Sequence, residues 1–120
     1  IEGLKNTLVA DFQEINGINF LAIFVDLSMS ATIDLAQAIG TFKPNTFVFL
    51  ASVEDNMPNI HCYISKELVA SKGLNAGNVI RELGKLIDGN GGGQPFFASG
   101  KGKNVSGINE ALEKVVDFVK

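Results

Sequence analysis

The chain has 120 residues, 46% of them hydrophobic, which suits one domain with a real core and leaves no room for a second. Its formal net charge of -3 excludes bulk attraction to a polyanion, so any contact with nucleic acid has to be local. Cys62 is the sole cysteine and His61 the sole histidine, so an internal disulfide is excluded and cysteine-rich or multi-histidine metal sites lack their ligands.

In chain order, Ile1, Leu4, Leu8 and Phe12 recur at helical spacing. This predicts residues 1–13 as the tail of a helix entering from upstream, with residues 14–120 as the globular unit of a single domain cut from a longer protein. Asn16-Gly17 marks a turn, and Phe20 to Val25 is an apolar run of strand length, read as buried on both faces. Ser28 or Ser30 can cap the next helix, whose inward stripe is Ala31, Leu35, Ala38, Ile39 and Phe42, ended by Gly40 and Lys43-Pro44. Thr46 to Val53 is the second strand. The strand-helix-strand order predicts a right-handed crossover with the two strands adjacent at the centre of the sheet.

Glu54 to Pro58 is turn chemistry, and Asn59 to Ser65 alternates Ile60, Cys62 and Ile64 against His61, Tyr63 and Ser65. That pattern predicts a hairpin partner with one less buried face. A helix follows over Asn75 to Asp88 with Val79, Ile80, Leu83, Leu86 and Ile87 inward and Gly89 as its C-cap. Gly84 inside that helix costs about 1 kcal/mol relative to Ala, which predicts close packing there. Phe96 to Ala98 reads as a short strand. The last helix is expected to start at an N-cap, Ser106, and to bury Ile108, Ala111, Leu112, Val115, Val116 and Val119, with Glu110 and Lys114 paired outside. The sum is an α/β fold with a mixed, mostly parallel central sheet of about four to five strands flanked by helices.

Gly89 to Asn104, reading GNGGGQPFFASGKGKN, is the most unusual stretch. Gly91, Gly92 and Gly93 leave the backbone free to approach another surface, and a run of their N–H groups can form an anion-binding nest. Lys101 and Lys103 then place two cations on what reads as mobile glycine backbone. Composition leaves two explanations open: a glycine-rich connection turning a helix into a strand, or a phosphate contact. The stretch is neither a P-loop nor a dinucleotide fingerprint, because the spacing of both is missing.

Elsewhere the chain is poor in catalytic constellations. The lone histidine argues against a Ser-His-Asp triad, and His61 and Cys62, as strand neighbours, point to opposite faces and read as structural. Asp26 ends a strand and reads as a cap or solvated end, and Glu54-Asp55 reads as a polar hairpin tip rather than a cation site. Among Lys66, Lys72, Arg81 and Lys85, the last two lie at i,i+4 on the helix leading into the glycines and are the better contact candidates.

The residues GGGQPFFASGKGKN, preceded by LNAGNVIRELGKLIDGNGGG, resemble the glycine-rich signature GGGRPxxAxxGGK of the C-terminal domain of alanyl-tRNA synthetases, a domain shared with DHH-type phosphoesterases. EINGINFLAIFVD resembles that family's first strand. Gln94 stands where the family has an Arg or a His, and Phe96-Phe97 replaces a more polar pair. The resemblance implies a non-catalytic domain that contacts the corner of the tRNA for alanine and supports aminoacylation and editing together with the other domains of the enzyme, with a homodimer as a further partner. Together with the local charge reading it gives Gly91, Gly92, Gly93, Gln94, Lys101, Lys103, Asn104, Arg81 and Lys85 as candidate nucleic-acid contacts, with Arg81, Lys85, Lys101 and Lys103 chosen on charge and position rather than on the resemblance. It also implies no cofactor in this chain, with ATP, magnesium and zinc belonging to other domains. The alternative is the substrate-binding lobe of a DHH-type phosphoesterase acting on oligonucleotides or nucleotide phosphates. The sequence has no apolar run of membrane-spanning length and no signal-peptide pattern, which predicts a cytoplasmic protein with no membrane partner.

Overall fold

Residues 2–120 are described here from a computed structural model. Strand β3 (Thr46–Glu54) is the axis of the molecule, since Thr46 to Ser52 are all buried. Its alternation divides the core. Phe47, Phe49 and Ala51 enter one apolar cluster with Val79, Ile80 and Leu83, while Val48 and Leu50 enter another with Leu35, Ile39 and Leu8. Each fully buried side chain of this kind contributes about 1.5–3 kcal/mol, so one strand anchors both layers.

Strand β2 (Ile18–Phe24) runs parallel to β3, and the connection between them is α2 (Met29–Gly40). Strand β1 (Gln13–Ile15) is antiparallel to β2 across Asn16 and Gly17, which take φ of 53° and 80°. Strand β4 (Met57–Ile64) is antiparallel to β3 across Asp55 and Asn56, with φ of 55° and 61°. Paired left-handed residues twist the chain as the flanking strands require. After the helices α3 (Lys66–Lys72) and α4 (Ala76–Gly84) come β5 (Asn90–Gly93) and β6 (Phe97–Lys101), and the order in the sheet is β1-β2-β3-β4-β6-β5. The helix α1 (Glu2–Val9) packs with α2, and α5 (Ile108–Lys114) lies with α4 on the opposite face.

The mixed α/β class agrees with the sequence reading, but the sheet has six strands and only the β2–β3 pairing is parallel. Two-residue turns can join only antiparallel neighbours, whereas a parallel return needs a crossover, and this chain has one between adjacent strands. The face of β4 expected to be less buried is covered, with Asn59 and His61 almost fully inaccessible. Phe42 does not join the α2 stripe, because the helix stops at Gly40 and the ring is 52% exposed. Ile1, assigned to the first helix by its spacing, lies outside the described residues. Of the two serines, Ser28 is the cap, its Oγ accepting from Ala31 N–H at 3.2 Å.

The end of α4 differs from expectation in a useful way. A 3-10 turn (Lys85–Ile87) continues the helix, and Asp88 rather than Gly89 takes the left-handed cap position, with φ of 53°. Gly89 instead donates to Gly84 O at 2.9 Å. A methyl at Gly84 would make only ordinary contact, 3.5 Å from Gly89 O, so packing does not demand that glycine. The cap before α5 is Asn104, not Ser106: its Oδ1 accepts from Ser106 N–H and from Ser106 Oγ, at 3.2 and 2.6 Å. The Glu110–Lys114 pair forms at 3.3 Å.

The glycine run is not a loop. It is the edge strand β5, and a Cβ would meet Lys101 O at 2.1 Å from Gly89, Ser99 O at 2.3 Å from Gly91 and Phe97 O at 2.6 Å from Gly93. Gly92 is different, because its nearest neighbour would be the flexible Arg81 Nη1 at 3.5 Å. Gly91→Ala is therefore expected to lower the unfolding free energy by about 2 kcal/mol or more, through backbone overpacking, and Gly92→Ala by less than about 1 kcal/mol. Urea unfolding of both variants checks this, and equal losses would refute the assignment of separate roles.

Candidate nucleic-acid interface

The sequence-derived contact residues fall on three adjoining elements. Gly91, Gly92 and Gly93 form the outer strand, and Gln94 begins the turn to β6, exposed, with its N–H donating to Phe97 O at 2.8 Å. Because the strand is extended and paired with β6, the expected anion nest of successive N–H groups does not form. Pro95 O accepts from Ala76 N–H at 2.8 Å, which ties the hairpin tip to the start of α4. Arg81 lies on the exposed side of α4, donates to Asn78 Oδ1 through Nη2, and carries Nη1 alongside Gly92 and Gly77.

Lys101 and Lys103 are exposed but not on mobile backbone. Lys101 is the last residue of β6, Gly102 N–H donates to Pro58 O at 3.0 Å, and Lys103 N–H donates to Ile87 O at 2.8 Å. Both lysines line a shallow cleft of about 380 Å³ with Asp88, Asn90 and Met57. Asn104 is half-buried and its side-chain oxygen is occupied by the cap to Ser106, so its role here is structural. Lys85 pairs with Glu82 at 3.6 Å on a largely exposed surface, which contributes little. Arg81, Gly92, Lys101 and Lys103 are thus the residues that the fold gathers around the β5–β6 hairpin, while Lys85 stands exposed beside Glu82 and Asn104 serves as a cap.

A buried polar string runs behind this hairpin. Thr32 Oγ1 donates to Ser28 O at 2.7 Å and lies 3.1 Å from Ser52 Oγ, and Ser52 Oγ donates to Asn59 Oδ1 at 2.8 Å. Asn59 Oδ1 also lies 2.6 Å from His61 Nε2, and His61 Nδ1 lies 2.7 Å from Ser99 Oγ. Since a carbonyl oxygen only accepts, Nε2 carries the imidazole proton and Nδ1 accepts from the Ser99 hydroxyl. Sequence alternation placed His61 as structural but gave no sign of this string, whose members are 67 positions apart at the extremes, Thr32 to Ser99. Among the described residues no group of three or more His, Cys, Asp or Glu side chains converges, and no helix is long and apolar enough to cross a membrane.

Burial pushes the His61 imidazole down to about 4 from its ordinary 6.5. Between those two values the unfolded chain binds a proton that the folded chain does not, so stability is full above the unfolded value and falls on acidification through the window. The loss attributable to His61 by pH 4 is on the order of 3 kcal/mol. Urea midpoints for the wild type and His61→Gln at pH 7 and pH 4.5 read it: the variant should lose less on acidification, and identical losses would show that the imidazole is not held neutral.

Several known proteins are similar to this chain. An alanine-tRNA ligase of Flavobacterium psychrophilum is 78% identical over 120 residues, covering 100% of this chain and 14% of the relative. The alanine-tRNA ligase of Christiangramia forsetii is 47% identical over 119 residues, with 99% and 14% covered. The chain therefore spans about one seventh of the length of these relatives. The crystal structure of the C-Ala domain from Aquifex aeolicus alanyl-tRNA synthetase superposes with a TM-score of 0.79 at 27% identity, covering 90% of this chain and 96% of that one. A DHH-domain member of the s1p family of ribosomal proteins gives 0.58 at 14% identity, covering 99% and 30%, a likeness of fold alone. The DHHA1 domain matches residues 17–120, from the β1–β2 turn to the end of the chain, and the chain belongs to the DHHA1 domain family.

Proposed function

We propose that the chain is a non-catalytic tRNA-binding domain of an alanine-tRNA ligase, working in the cytoplasm with the other domains of that enzyme on the tRNA for alanine and supporting aminoacylation and editing. The observation that carries this reading is the 78% identity to an alanine-tRNA ligase along the whole chain. The β5–β6 hairpin suits the role. Arg81, Lys101 and Lys103 put cations around a strand that carries only one side chain, Asn90, so a polyanion can approach the backbone closely at the glycines despite the net charge of -3. The phosphoesterase alternative has in its favour only a likeness of fold at 14% identity.

The isolated chain is expected to show no aminoacylation, deacylation or phosphodiesterase turnover, and activity that co-purifies with the protein peak would overturn the non-catalytic reading. For binding, Lys101→Ala with Lys103→Ala should weaken association with the tRNA without unfolding the domain. Each lysine that neutralises a phosphate contributes ~0.7 to 0.9 to the slope of log K against log salt, so the slope should fall by roughly 1.4 to 1.8 in the double variant. Salt titration of wild type and variant decides it, and an unchanged affinity and slope would make the hairpin a structural connection only.

A further inference from the structure

Strand β6 presents two different faces. Ala98 joins the α4 cluster and Gly100 lies against Ile80, whereas Phe97 packs with Tyr63 toward the α2 side. By strand alternation Phe97, Ser99 and Lys101 share that second face, each step spanning about 7 Å. Phe97 and Ser99 are half-buried and Lys101 is exposed. In register across β5, the partner of Ser99 is Gly92, the one glycine of the run whose missing side chain the packing does not require.

Ser99 is not an ordinary surface hydroxyl. Its proton is directed inward to His61 Nδ1, because His61 Nε2 has its own proton on Asn59 Oδ1, and Asn59 is in turn fixed by Ser52. What remains outward on Ser99 is lone-pair density alone. The imidazole, pushed down to about 4 by burial, stays neutral near pH 7, so this polarity persists under ordinary conditions. An outward acceptor selects a donor.

Along the strand the order is aromatic ring, acceptor, cation. A nucleotide has the same order: base, ribose, phosphate. We propose that Phe97, Ser99 and Lys101 read one unpaired ribonucleotide, with the base stacked on Phe97, the phosphate at Lys101 and the ribose 2′-hydroxyl donating to Ser99 Oγ, so that this strip distinguishes RNA from DNA. The aromatic stack and the phosphate contact are common to both nucleic acids, and the 2′-hydroxyl is the group that differs. Glu54 and Asp55 line a second cleft at Lys101, with Met29, Ser30 and Asn59, whereas the cleft shared with Lys103 carries one carboxylate, Asp88, and two ammonium groups, so a phosphate is favoured on the Lys103 side.

This inference rests on the nucleic-acid role proposed above, and the experiment separates the two. Fluorescent single-stranded hexamers of identical sequence in RNA and DNA form are titrated with the chain at fixed salt. The wild type should prefer RNA by about 3- to 10-fold, the effect of one net hydrogen bond. Ser99→Ala should lower RNA affinity to the DNA value and leave DNA binding in place, which also reports that the variant is folded. Ser99→Thr keeps an oxygen beside His61 and should keep the preference. Phe97→Leu should weaken both oligomers equally. Equal binding of RNA and DNA by the wild type, no binding of either, or a preference that survives in Ser99→Ala would overturn the proposal. If only the phosphate reading fails, the salt slope of the lysine variant stays unchanged while the RNA preference remains. If only the ribose reading fails, the slope falls while the RNA to DNA ratio is one.

Discussion

The outer third of this domain depends on backbone lying directly against backbone. Residues 86–93 and 99–107 are drawn so close that a Cβ at Gly102 would stand 2.2 Å from Ile87 O and one at Gly107 would stand 1.9 Å from Leu86 O, in addition to the contacts of the β5 glycines. Such distances leave no room for a side chain of any kind. Their effect is to seat the end of α4, the β5–β6 hairpin and the entry to α5 on one another at backbone distance, beside the apolar contacts of Ile80, Ile87, Ala98 and Ile108. Lys101 and Lys103 inherit their fixed positions from this seam, through hydrogen bonds from Gly102 and Lys103 to Pro58 and Ile87.

The inner part of the fold is built by ordinary side-chain packing, and there the sequence was legible. The runs that became β2 and β3, the stripe of α2 with Leu35 and Ile39, and the inward set Val79, Ile80 and Leu83 of α4 all carried a clear period. The crossover from β2 to β3 and the hairpin from β3 to β4 were read with their directions, but the sheet as a whole was read as mostly parallel because β1 and β5, both antiparallel to their neighbours, carried no strand signal. The short elements were also silent: β1 has three residues, and α3 has seven, with Leu68 the only one of them buried.

The glycine stretch was recognisable as special but not as a strand, because glycine carries no alternation from which a strand can be read. The cationic residues near it were found from local composition, and of these Arg81, Lys101 and Lys103 do surround the hairpin while Lys85 is drawn to Glu82. The string from Thr32 through Ser52, Asn59 and His61 to Ser99 had no sequence signal at all. Its members are common polar residues that become partners only through the registers of β3 with β4 and of β4 with β6. Polar side chains meeting across three strands are a property of register, and register was the least determined quantity in the sequence.

Strand β5 lies at the border of the sheet and offers unoccupied main-chain groups with no side chain beyond that of Asn90 to mask them. Such a border invites a second molecule to add its own strand, and proteins ordinarily keep it short or guard it with charge or proline. Here all three guards are present: the strand has 4 residues, Pro95 stands just beyond its end, and the Arg81 guanidinium lies beside its middle. The arginine that lies alongside the glycines therefore also discourages edge-to-edge association between copies of the chain.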